Sequence, residues 1–226
     1  MSENTSQRPP RRLVRAAGWF YLLIILTSIL SLIFIGGKYT VMGDNAASVA
    51  KMSQNGMLVR INAAYEMLMF SAVIVLAVLL FEITKSINSA LARTAMLLRI
   101  AEALMGYIGI ILSLGVLSAT RESAGADAVS SLAILLLNLK DIAYMILSVC
   151  ISMGTVLFFV LLQRARYLPS FLTLWGIFGF GLMLIAGLMQ ITDVPAGDIV
   201  NAVAAGLVIL FELVVGLWLI VKGIND

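Results

Sequence analysis

Six side chains that can carry charge, Glu66, Arg99, Glu102, Lys140, Asp141 and Glu212, lie inside stretches apolar enough to cross a lipid bilayer. Their available chemistry is proton binding, cation coordination or ion pairing, because a charge at the centre of a membrane helix costs roughly 2.5–3.5 kcal/mol on insertion scales. Six unrelieved charges would total roughly 18 kcal/mol, above the ~5–15 kcal/mol that holds a typical fold together, so they must be paired, protonated or hydrated. The signs do not balance. Arg99 and Lys140 supply two positive charges against four negative, and even counting Arg60 at the outer boundary one acid lacks a base. One carboxylate is therefore expected to hold a proton or to meet water or a cation. The plainer alternative is a protonated acid that donates a permanent structural hydrogen bond.

Spacing says which of these groups share a face. Ala92, Ala95, Arg99, Glu102, Gly106, Gly109 and Ser113 recur at intervals of three and four, which predicts one seam of small residues carrying an internal Arg99–Glu102 pair. Asn138, Asp141, Met145, Ser148, Ser152 and Thr155 repeat the pattern on the next stretch, as interhelical hydrogen bonding or as the wall of a hydrated groove. Lys140 points about 100° away from Asp141, towards Tyr144, and is expected to pair with Glu102 or Glu212. Asn201, Ala205, Val208 and Glu212 share a further face, and Asn62 lies one turn from Glu66. A rise of ~1.5 Å per residue puts Glu102, Asp141 and Glu212 near mid-membrane and Glu66 nearer the outside.

Several chemistries lack their residues. Histidine is absent, which removes the commonest metal ligand and the usual general base, so neither metal nor cofactor is expected. Ser148 and Ser152 have no histidine to activate them, and Lys140 is on another face. Enzymatic activity is not expected; the remaining nucleophiles and bases would be carboxylates, Lys140 and tyrosines such as Tyr107 or Tyr144. Gly176, Gly179 and Gly181 resemble a phosphate loop only superficially and read as close helix packing within an apolar span. The twelve methionines read as apolar filler, and Cys150 has no partner for an intrachain disulfide.

The elements that must position these groups follow from composition. Apolar residues are 62% of 226 and charged residues 12%, with a mean hydropathy of +1.06, far from the globular range. Six runs, at about residues 19–37, 61–84, 95–119, 132–162, 168–191 and 199–221, each reach the ~20 residues that a ~30 Å core requires. The prediction is an all-α, polytopic bundle of six transmembrane helices in one domain (18–223), behind a basic tail (1–17) and ahead of a short end (224–226). A soluble catalytic or nucleic-acid-binding domain is excluded by length. The first run is too long for a secretory signal and has no small-x-small cleavage pattern, so it reads as an uncleaved helix. Trp19 and Tyr21 read as aromatic anchors at its inner end.

Nine basic residues flank the side of the termini (Arg8, Arg11, Arg12, Arg15, Lys85, Arg93, Arg164, Arg166, Lys222), against four on the other (Lys38, Lys51, Arg60, Arg121). The positive-inside rule then places both termini in the cytoplasm. Between Lys38 and Arg60, Asp44-Asn45 and Gly56 bracket a short capped helix at the outer surface, read as a surface connector, the alternative being a lid over a cavity. Residues 121–131 read as a flexible loop.

Arg99-Ile100-Ala101-Glu102, Lys140-Asp141 followed by Tyr144, Tyr167-Leu168-Pro169-Ser170-Phe171-Leu172 leading to Trp175-Gly176, and the ending from Glu212 through Trp218 to Val221-Lys222-Gly223 together resemble a bacterial membrane-protein family known as domain of unknown function 4386. The resemblance runs from Arg15 to Asn225. It implies a six-helix bacterial inner-membrane protein and implies no reaction, substrate or cofactor. The expectation is a lipid-embedded protein that binds or transports a small ligand or ion through a central site of Glu102, Asp141 and Glu212, set by Arg99 and Lys140. Glu66 and Asn138 are further candidates for the ligand or proton site. The alternative is a scaffold or partner subunit, in a homo-oligomer or with another protein, whose buried charges are structural.

Overall fold

The computed structural model describes residues 9–120 and 126–225. Seven helices account for nearly all of them, and among the described residues there is no strand: α1 (Arg11–Leu30), α2 (Asn45–Gln54), α3 (Gly56–Thr84), α4 (Ser89–Ala119), α5 (Ala126–Arg164), α6 (Ser170–Ile191) and α7 (Gly197–Val221). All but α2 are long and apolar enough to span a membrane. Helix is the form such sequences must take, since a spanning segment has to satisfy its backbone hydrogen bonds internally.

Local signals fix where the helices start. Pro10 and Pro169 precede α1 and α6, where a missing N–H costs nothing. Asn88 accepts from the Leu91 N–H at 3.0 Å and Asp44 from the Ala47 N–H at 2.8 Å, capping α4 and α2. The spans exceed the apolar runs. Helix α1 begins at Arg11, within the stretch 1–17 read as a basic tail. Helix α3 starts at Gly56, inside the predicted outer connection, and α5 at Ala126, inside the predicted 121–131 loop, of which 121–125 lie outside the described residues.

Each spanning helix packs on its neighbours in the chain, and α1 closes between α3 and α7, so the six form a ring. Where α1 meets α7 the backbones nearly touch: a Cβ on Gly18 would lie 2.7 Å from the Gly216 carbonyl oxygen. Six crossings put Arg11 and Val221 on one face, the tail side. Helix α2 lies across the ends of α3, α4 and α5 on the opposite face, the loop side, burying Val49 and Met52 against Val59, Val116 and Leu137.

Candidate functional site

The α4 seam faces inward as its spacing predicts: all seven of its positions, Ala92 through Ser113, are buried. Arg99 and Glu102 are each 3% exposed, and Nη1 of Arg99 lies 2.9 Å from Oε2 of Glu102. Arg99 also reaches Thr155 of α5, Nη1 to Oγ1 at 3.3 Å. Glu212 of α7, 7% exposed, interacts electrostatically with the same guanidinium and with Glu102. Tyr21 of α1 completes the circle, buried against the charges of Arg99, Glu102 and Glu212. The Cys150 thiol on α5 feels Glu102 as well.

Helix geometry brings these four elements to one level. Arg99 is ten residues from Ser89, Glu212 nine from Val221, Thr155 nine from Arg164 and Tyr21 ten from Arg11, each about 14–15 Å from the tail-side end of its helix. This core layer carries two carboxylates and one cation in an apolar shell. Oε2 of Glu102 and Nε of Arg99 are buried with no hydrogen-bond partner among the described residues, so the 2.9 Å approach of Nη1 to Oε2 is an ion pair without a hydrogen bond. Glu212 and Arg99 interact without a hydrogen bond between them. A pair near 4 Å gains about 4 kcal/mol at an effective dielectric near 20, and several kcal/mol of desolvation per ion consume that gain.

Asp141, expected in this cluster, is not part of it. It is exposed at the loop side with Asn138, and Asn45 of α2 donates to both, to Asn138 Oδ1 at 2.8 Å and Asp141 Oδ2 at 3.0 Å. The reason is length: α5 has 39 residues, so Asp141 is about 35 Å from its tail-side end and Thr155 takes the level of Arg99.

Lys140 likewise does not pair with Glu102 or Glu212. Its ammonium sits 5.5 Å from the Tyr144 ring centroid and its charge falls on Glu66. Glu66 accepts from Asn62 Nδ2 at 2.8 Å, and Asn62 Oδ1 accepts from Ser31 Oγ at 2.7 Å, where α1 widens into a π-helical turn over Ser31–Ile35. Tyr39 joins this group by bonding Asn62, and burial together with the Glu66 charge keeps its phenol neutral. Lys140 and Glu66 therefore form a loop-side polar group with Asn62, Ser31 and Tyr39, while Asp141 and Asn138 are held by Asn45.

Phe70 separates the layers along α3 and α4. Its ring occupies the space over Gly106, where a Cβ would come within 2.2 Å, and meets Tyr107 edge-on at 6.1 Å. Tyr107 in turn shares a hydrogen bond with Ser71 at 2.9 Å. At the level of the core layer α5, α6 and α7 meet in an aromatic stack, with Phe159 edge-on to Phe211 at 4.9 Å and Phe180 and Trp175 against the same ring.

Tyr21 is the site residue that sequence reasoning missed. Read as an interfacial anchor, it is 3% exposed, whereas Trp19, two residues earlier and about 200° round the helix, stays largely exposed on the outer face of the ring. The signal was available in Val14, Ala17, Gly18 and Tyr21, which share the buried face of α1.

A family model described as Domain of unknown function (DUF4386) matches residues 16–223, nearly the whole chain. No curated protein and no solved structure matches it.

Proposed function

We propose, for a chain that belongs to the family Domain of unknown function (DUF4386), that the core layer binds a proton or a small monovalent cation and carries it within the membrane. The observation supporting this reading is the pairing of Glu102 and Glu212 around the single guanidinium of Arg99, all three buried. One positive charge added to that layer neutralises it, and a proton or monovalent cation is the smallest species that does so. Arg99 holds Glu102 in place, Glu212 takes the added charge, and Thr155 and Tyr21 supply hydroxyls at the same level. The reading is non-enzymatic, places the protein in a bacterial cytoplasmic membrane with its termini inside, and assigns Lys140, Asp141, Asn138 and Glu66 to a separate polar layer nearer the loop side.

The experiment is proton flux into proteoliposomes loaded with a pH-sensitive dye. With an imposed pH gradient, wild-type protein is expected to collapse the gradient faster than Glu212→Gln, in the presence and absence of sodium or potassium. Equal rates for wild type, Glu212→Gln and empty liposomes in every salt would remove the transport reading.

A structural reading is favoured by one observation, that Arg99 and Glu102 pair within a single chain. On that reading the protein is a scaffold or partner subunit and the charges fix helix registry. It predicts that Glu212→Gln changes stability but no flux.

A further inference from the structure

We infer that the core layer exchanges its proton or cation with the loop side alone, along a route between α5, α6 and α7 on which Ser148 and Asn201 are the intermediate polar groups. The inference rests on the core layer being a binding site, and adds the direction of access and the residues that line it.

The tail side offers no polar step. Around the ring, the inward positions next towards that face are Ala17, Ala95, Phe159, Leu162, Val215 and Leu219, all buried and all apolar. The buried hydroxyls of Thr84 and Thr173 on that side are spent on carbonyls of their own helices. Gln163 and Trp218 have buried polar atoms without partners among the described residues, but they lie within the last turn of α5 and α7, with buried Phe159 and Val215 between them and the core layer.

The loop side is different, and not uniformly so. Along α3 and α4 the Phe70 ring fills the space over Gly106, and α2 covers the ends of α3, α4 and α5 with apolar side chains. Helix α2 does not extend over α6 and α7. There, Ser148 is 7% exposed and its Oγ has no hydrogen-bond partner among the described residues, and Asn201 has a buried Oδ1 in the same condition. The two fall at one level. A Cβ on Gly187 of α6 would lie 3.4 Å from Ser148 Oγ, while Gly179 of α6 lies against Val208 of α7. Since α6 and α7 run antiparallel, moving eight residues from Gly179 to Gly187 brings Asn201 alongside.

From that level both helices lead to the site. Ser148, Ser152 and Thr155 share one face of α5, and Thr155 bonds Arg99. Asn201, Val208 and Glu212 share one face of α7. An orphaned buried hydroxyl and an orphaned buried carbonyl are costly unless something polar visits them, and a hydrated proton or cation meets both needs.

The test is thiol accessibility in a Cys150→Ala background, in sealed vesicles, with a membrane-impermeant trimethylammonium-ethyl methanethiosulfonate added to either face. Ser148→Cys and Asn201→Cys are expected to lose their free thiol when the reagent is on the loop side and to keep it when the reagent is on the tail side. Val215→Cys, on the closed side, is expected to keep its thiol in both cases. A thiol that stays free in Ser148→Cys or Asn201→Cys with the reagent on the loop side, or labelling of any of the three variants from the tail side, overturns the inference. If Ser148→Cys does not fold, Asn201→Cys decides alone. Labelling does not depend on what the site binds, so a failed route with Glu212 still governing flux leaves the proposed function standing, and a working route with no Glu212-dependent flux removes the proposed function.

Discussion

At the scale of single residues, the structure turns on one guanidinium serving two carboxylates. Replacing Arg99 with Met keeps much of the stem's volume but leaves Glu102 and Glu212 buried with no cation. We expect a loss of about 3–5 kcal/mol, read from thermal unfolding in detergent. Glu102→Gln breaks the 2.9 Å pair and leaves Arg99 only Glu212 as counter-charge, so it should cost less than Arg99→Met but more than Glu212→Gln. Glu212→Gln removes the surplus charge and should cost less than either, or stabilise. Arg99 with Glu102 was legible in the sequence because both lie on one helix at a spacing of three, where periodicity alone decides whether they meet. The partner of Lys140 was not, because it depends on how far α5 slides past α3 and α4, and hydropathy says only where a helix must be, not its register.

At the scale of elements, closeness of packing sets what each helix tolerates. Gly106→Ala would press a methyl into the Phe70 ring, with an expected loss of about 1–3 kcal/mol. Combining it with Phe70→Leu should recover part of that loss, as a positive coupling in a double-mutant cycle; strict additivity would mean that Phe70 is not the group in contact. The same method tests the two polar layers. Lys140→Met should couple to Glu66→Gln and be additive with Glu102→Gln to within about 0.5 kcal/mol, since Lys140 acts on the loop-side layer. The buried face of α4 was readable from alternating threes and fours in small residues. The ends were not: Arg11, Gly56 and Ser89 begin their helices well outside the apolar runs, because helix continues through the polar interface where hydropathy falls silent.

At the scale of the whole molecule, six spans close into a ring with a buried charged layer at Arg99, Glu102 and Glu212 and a second polar group at Lys140 and Glu66 nearer the loop side. The number of spans and the all-helical class followed from composition and length. The closure of α1 onto α7 did not, because Gly18 and Gly216 are about two hundred residues apart and nothing local announces their approach. The basic residues clustered on the tail side predict that a tag following Asn225 is digested by protease only when the cytoplasmic face is exposed.

The central claim is that the core layer carries a surplus carboxylate which takes up one positive charge. The most direct measurement is the unfolding free energy of wild type and Glu212→Gln at pH values between about 5 and 9 and at constant salt, since its slope counts protons bound by the folded and unfolded states. The account predicts that wild type and Glu212→Gln differ in slope over part of this range, with the amide variant the flatter of the two, or, where a metal cation takes the proton's place, that wild type alone is stabilised by added sodium or potassium. Identical slopes together with identical salt responses would contradict it.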